Sequence, residues 1–173
     1  MTEPKFDLAA GENHSAKVIL LCGRIASGKT FYAQQKKMDR HTVVLSCDDL
    51  MLKLFDGCLG ERHDDILRRC SHFFFHQAQE FHALGLDVLL DFGFWAKPQR
   101  EEAMAYFRQR NIPAELYYFD IPEELRLRRL EERNQKLSGS PEREYIIDEE
   151  LRAFLDAKFE KPADEEISRL LRL

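Results

Sequence analysis

Residues 17–30 read KVILLCGRIASGKT, and the fold turns on how this stretch is read. The first six residues are short, rich in branched apolar side chains and apolar on both faces, the pattern of a strand buried inside a parallel sheet. Gly23 to Thr30 then fits the spacing G-x-x-x-x-G-K-[ST], and a helix-competent stretch, GKTFYAQQKKM, follows. Strand, glycine-bracketed loop and helix in that order make a cradle for phosphate. The glycines let main-chain N–H groups of Gly23, Ala26, Ser27 and Gly28 turn inward around anionic oxygens. The helix start adds roughly half a positive charge. Lys29 can reach the β- and γ-phosphates of a nucleotide, and the Thr30 hydroxyl can hold Mg2+.

Working outward, TVVLSC (42–47), DVLLDF (87–92) and AELYYFD (114–120) read as three more buried strands. Helical segments lie between them. In residues 64–85, DDILRRCSHFFFHQAQEFHALG, helical spacing predicts a buried face of Ile66, Cys70, Phe73, Phe74, Gln77, Phe81 and Leu84, with Gly85 as the stop. Pro98 opens a further helix and Pro122 another, each at a first-turn position where the missing N–H costs nothing. Residues 138–144, SGSPERE, read as a loop, and 148–160 as a last amphipathic helix; ISRLLRL at the end fits either a helix or an edge strand. Strands alternating with helices imply an α/β fold, a parallel sheet of four or five strands with helices on both faces, whose ligands bind beyond the carboxyl ends of the strands. The chain reads as one domain over 1–173, with 1–15 a flexible lead-in and about 122–147 a lid-like helix and loop.

Bulk properties narrow the function. With 173 residues the chain can bury a real core. A net charge of −5 argues against a broad nucleic-acid surface without excluding a focused anion site. No apolar run is long enough to span a bilayer, and the N-terminus has no apolar core behind a basic start. The four cysteines show no C-x-x-C spacing and read as reduced thiols of a cytoplasmic protein.

Further candidate residues fall at strand ends. Asp91 closes the third strand, where a carboxylate is costly without a partner; beside Thr30 it can order the metal's water shell, and otherwise it caps a helix or turn. Asp48 and Asp49 close the second strand. Asp48 is the candidate base for an acceptor hydroxyl, with Asp49 capping the next helix; alternatively both are caps. Arg126, Arg129 and Arg133 share one helix face at i, i+3 and i+7, where guanidiniums can close over a triphosphate; the alternative is a solvated helix with pairs such as Arg128 and Glu132. His72, His76 and Glu80 have the spacing of a metal face, but the flanking phenylalanines favour an ordinary surface or core edge. Trp95 either lines an acceptor pocket or packs.

Taken together, GRIASGKT, LSCDDL, GLDVLLDFGFWAKPQR and YYFDIPEELRLRRLEERN resemble the kinases of the AAA-domain P-loop group, which includes zeta-toxin-like, polynucleotide-kinase-like and chloramphenicol-phosphotransferase-like proteins. The resemblance covers about Lys17 to Asn134, and FEKPADEE near the end is similar to the tails of some members. It implies an ATP- and Mg2+-dependent phosphotransferase in which Lys29 and Thr30 hold nucleotide and metal, Asp48 stands on the acceptor side, and Arg129 and Arg133 are lid arginines. Polynucleotide-kinase relatives carry an arginine three residues beyond the first aspartate, where this chain has Met51. That departure disfavours a nucleic-acid acceptor, and Arg100 is the nearest substitute. The leading expectation is therefore a kinase for a small-molecule or nucleotide-like hydroxyl. A nucleic-acid 5′-hydroxyl kinase, or a nucleotide-dependent switch that hydrolyses slowly, are the alternatives.

Overall fold

The structure is a computed structural model that describes residues 15–55, 59–137 and 147–172. Cys58, the 138–144 loop and nearly all of the lead-in lie outside the described residues. Five strands are found: β1 (Val18–Cys22), β2 (Thr42–Ser46), β3 (Asp87–Gly93), β4 (Ala114–Phe119) and β5 (Arg169–Leu171). They pair in the order β2-β3-β1-β4-β5, all parallel. The helices are α1 (Lys29–Lys36), α2 (Cys47–Leu54), α3 (His63–Ala83), α4 (Lys97–Arg108), α5 (Glu123–Leu137) and α6 (Glu149–Ala157). The undecided C-terminal stretch is thus an edge strand, placed by its pairing of Tyr117 to Phe119 with Arg169 to Leu171. None of the described helices is long and apolar enough to cross a membrane.

β1 is central and buried along its whole length, as its unbroken apolar run requires. Its alternate residues feed two cores. Val18, Leu20 and Cys22 join Phe75, Ala78, Ala103 and Phe107 on the face covered by α3 and α4. Ile19 and Leu21 join Leu89, Tyr117, Phe119 and Ala33 on the face covered by α1. The register between β1 and β3 slips by one residue after Leu20, so that Cys22 lies opposite Gly93. The extra residue on β3 falls at Asp91 and Phe92, a bulge that re-aims the chain just where the site begins.

The helices differ from the sequence expectation in detail. The buried side of α3 is Ile66, Cys70, Phe75 and Ala78, whereas Phe73 is 54% exposed and Leu84 exposed as well. Phe75 meets Phe92, Tyr106 and Phe107, so packing against β3 and α4 decides which of three consecutive phenylalanines turns inward. His72 bonds Glu102 of α4 across 2.8 Å; among the described residues no group of three His, Cys, Asp or Glu is placed to hold a metal ion. Cys22, Cys47 and Cys70 are free, buried thiols. Burial pushes the Cys22 thiol up to about 11 and that of Cys47 to about 12.

Arg126 does not serve the triphosphate role its spacing suggested. It is 1% exposed, and its guanidinium donates to both oxygens of Glu123 (2.6 and 3.0 Å) and both oxygens of Asp156 (2.7 and 3.1 Å). A planar fork met by two carboxylates is a staple, here between α5 and α6. A second clasp sits nearby: Asn134 donates to the Ile147 carbonyl at 2.7 Å and accepts from the Ile147 N–H at 3.2 Å. α5 is therefore tied to α6 at Arg126 and to the residue two positions before α6 at Asn134. Arg126→Met should cost about 2 kcal/mol, the low end for a broken buried pair, because Glu123 and Asp156 both keep some contact with water. For a chain of this length that lowers the melting temperature by about 4–8 °C, read by calorimetry or circular dichroism.

Candidate active site

The cradle is built as its glycines demand. A Cβ on Gly23 would stand 2.7 Å from Ser27 Oγ and 3.0 Å from the Phe119 carbonyl oxygen, so only glycine lets β1 run into the loop. Ala26 (φ 60°) and Gly28 (φ 103°) take left-handed conformations within the loop, which curls successive N–H groups into a concavity. α1 starts at Lys29 with no side-chain cap and no acidic residue in its first turn, so its amides and its dipole are available to an external anion. These features fit a phosphate tail.

Lys29 is 9% exposed, and its ammonium donates to the carbonyls of Gly23 (2.8 Å) and Arg24 (2.9 Å). Desolvation lowers its pKa. The nearby Asp91, Cys22 and Asp48 oppose that shift, and Arg133 adds to it. The Thr30 hydroxyl donates to Asp91 Oδ2 at 3.2 Å. Asp91, itself 9% exposed, has its pKa raised by burial; Lys29 and the Thr30 bond pull it down. A hydroxyl beside a carboxylate offers the hard oxygen donors that suit Mg2+ with several of its waters retained.

Asp48 and Asp49 both lie in the first turn of α2. The cap of that helix is Ser46, whose hydroxyl accepts the Asp49 N–H at 3.2 Å, so Asp49 is not the cap the sequence reading made it. The S-x-x-D spacing from Ser46 to Asp49 was the available signal. Asp48 itself is exposed. Desolvation and then Asp91 raise its pKa, while Lys29 and His63 hold it down. Lys29, Asp91 and Asp48 therefore feel one another.

On α5, Arg129 and Arg133 are half-buried while Arg128 is exposed, so the i, i+3, i+7 face is the inner one. Arg133 lies close enough to Lys29 to depress its pKa. Arg129 sits one turn nearer the helix start. Both make polar interactions. Arg100 is not an acceptor residue: it is buried, bonded to both oxygens of Glu166 (2.7 and 3.2 Å) and to the carbonyls of Phe94, Trp95 and Glu160. Trp95 packs under the loop, its indole N–H donating to the Gly23 carbonyl at 3.2 Å. A hollow of about 250 Å3 beside the loop is bounded by Arg24, Asp120, Ile121, Phe159 and Lys161. It draws on the segment just beyond β4 and on the 159–161 stretch.

A family model described as an AAA domain matches residues 18–161. No curated protein matches the chain by sequence. Among solved structures, the chain resembles the Mycobacterium tuberculosis APS kinase CysC in complex with AMPPNP and APS (TM-score 0.61, 18% identity, 92% of this chain and 90% of that one). It also resembles Chaetomium thermophilum Kti12 in complex with ADP-AlF3 (TM-score 0.62, 18% identity, 90% and 88%). A sugar kinase from a Janibacter species aligns with TM-score 0.57 and 14% identity over 91% and 85% of the two chains. At these identities the likeness shows the fold. With the family match over most of the chain and the loop geometry above, the chain belongs to the AAA-domain family of P-loop proteins and has the kinase-type fold.

Proposed function

We propose that this protein is an ATP-dependent phosphotransferase that moves the γ-phosphoryl group of Mg·ATP to a hydroxyl of a small-molecule or nucleotide-like acceptor. The observation that carries the reading is the convergence of Lys29, Thr30 and Asp91 at the loop with Asp48 facing them from the neighbouring strand end. The loop amides of Gly23 to Thr30 bind the phosphates, and Lys29 exchanges its two carbonyl partners for phosphate oxygens. Thr30 and Asp91 would hold Mg2+ and its waters, and the ion would supply neutralisation of phosphate charge. The base end is assigned to the hollow between Arg24 and Phe159. Asp48 orients the acceptor hydroxyl and takes its proton as the new O–P bond forms and the bond to the ADP oxygen breaks. Arg129 and Arg133 offset charge that builds on the transferring group, with most of the rate coming from positioning and electrostatics.

A screen of hydroxyl-bearing metabolites, nucleosides and antibiotics for ATP-dependent gain of one phosphoryl group identifies the acceptor. Oligonucleotides with 5′-hydroxyl ends form the arm that separates a nucleic-acid kinase from a metabolite kinase. Lys29→Ala should reduce transfer by at least about 100-fold, since it removes the one buried ammonium from the phosphates. A residual rate within about tenfold of the parent would show that the phosphates are held elsewhere.

Asp48→Asn should abolish transfer yet leave ATP affinity within a few-fold, measured by calorimetry; a nucleotide switch would instead be indifferent at this position. The same variant should be more stable than the parent at neutral pH. The Asp48 pKa is raised above the ordinary 3.8 in the folded state, so the folded chain binds its proton more tightly than the unfolded chain. Stability therefore falls as pH rises through the window between 3.8 and the raised value, and the loss persists above it. Asparagine does not titrate, so the gain in melting temperature at pH 7 should shrink as pH drops through that window.

A further inference from the structure

Beyond Asp91 and Phe159, two narrow sequence features have no part in the chemistry above: DFGFWAKPQR, which runs out of the end of β3, and FEKPADEE near the C-terminus. The structure joins them at Trp95, the single tryptophan of the chain. We propose that Trp95 is a positioning residue for the phosphate loop: its indole N–H holds the Gly23 carbonyl when Lys29 releases it, and the 159–166 segment holds Trp95. This deepens the nucleotide reading and rests on it.

The Gly23 carbonyl accepts two donors, the Lys29 ammonium at 2.8 Å and the Trp95 indole at 3.2 Å. Lys29 must give up Gly23 and Arg24 to reach a phosphate oxygen. A buried carbonyl stripped of its donors is costly, and a peptide plane freed to rotate would carry its other group with it. The group on the far side of the Gly23 carbonyl is the N–H of Arg24, the first residue between the two glycines of the loop. Trp95 keeps that plane fixed during the exchange.

The indole is itself held on three sides. It lies over Gly93, where φ is +82° and a Cβ would come within 2.7 Å of the indole nitrogen. The chain reverses at Phe94 (φ 46°), whose ring stacks on Phe92 at 5.4 Å. The Trp95 carbonyl accepts from the Glu160 N–H at 2.8 Å and from Arg100 Nη1 at 3.2 Å. Arg100 also donates to the Glu160 carbonyl at 2.9 Å and is paired with Glu166, while Glu160 Oε2 accepts from the Lys97 N–H at 3.1 Å. The C-terminal segment thus reaches the Gly23 carbonyl through the indole, beside its direct contact of the Phe159 ring with the Arg24 guanidinium, and every residue in this chain of contacts except Gly23 comes from one of the two stretches.

Space-filling alone would be met by phenylalanine, so Trp95→Phe separates packing from the N–H. The probe is Mg·AMP-PNP, titrated calorimetrically into the full chain. Trp95→Phe should raise its dissociation constant by about three- to tenfold, with the melting temperature within a few degrees of the parent. In the parent, Trp95 emission should shift as Mg·AMP-PNP saturates the protein, because the partner carbonyl loses its second donor. Unchanged affinity in Trp95→Phe, or parent emission that stays constant at calorimetric saturation, overturns the inference and leaves the nucleotide reading standing. A parent protein that binds no Mg·AMP-PNP overturns both.

Discussion

The structure depends on keeping one ammonium, Lys29, and one carboxylate, Asp91, charged where water is scarce, with Asp48 beside them at the exposed start of α2. For Lys29, Asp91 and Asp48 alike, desolvation is the largest influence on proton affinity, and in each case it pushes toward the neutral form. What opposes it is the other members of the set: Lys29 steadies both aspartates, and Asp91 and Asp48 steady Lys29. No member is favourably placed alone. Such a group survives only on a scaffold that holds the strand ends at fixed spacing, and β1, buried at every residue and paired on both sides, is that scaffold. The hydrophobic contacts of its two faces offset the cost of the desolvated charges at the site.

The largest fully buried side chains include two arginines, Arg100 and Arg126, and both are structural. Each satisfies its fork with carboxylates and, for Arg100, main-chain carbonyls. Arg100 fastens the C-terminal segment to α4, and Arg126 fastens α6 to α5. The segments that follow α5 return to the body through these two points and through the pairing of β5 with β4. Replacing a buried ion pair by apolar packing is often neutral, but the guanidinium's directional demands fix which carboxylate meets which fork, and so fix the path of the chain.

How much of this could be read in the sequence depends on how local each feature is. The strand, loop and helix around residues 17–36 were legible because every requirement falls within twenty residues: an apolar run, two glycines, a lysine and a hydroxyl. Thr30 with Asp91 was legible because a carboxylate ending a buried strand needs a partner, and the parallel topology puts it next to the loop. Arg126 was misjudged because helical spacing tells which residues share a face but not what meets that face; its partner Asp156 lies thirty residues on. The same holds for Arg100, whose partners are at 160 and 166. In α3, consecutive phenylalanines differ by only about 100° around the helix, so tertiary contacts, not periodicity, turned Phe75 in and Phe73 out. β5 was undecidable because three residues carry no period, and only pairing with β4 fixes them.

The cysteines carry a consequence for how the protein meets oxidants. Cys22 sits one residue before the loop, yet its thiol is buried, donates to the Phe94 carbonyl at 3.3 Å and titrates near 11. At neutral pH only about one molecule in ten thousand then carries the reactive thiolate. Peroxide and maleimide-type reagents would find little to attack there, so the phosphate loop borders a sulfur that can outlast an oxidative burst without forming a sulfenic acid.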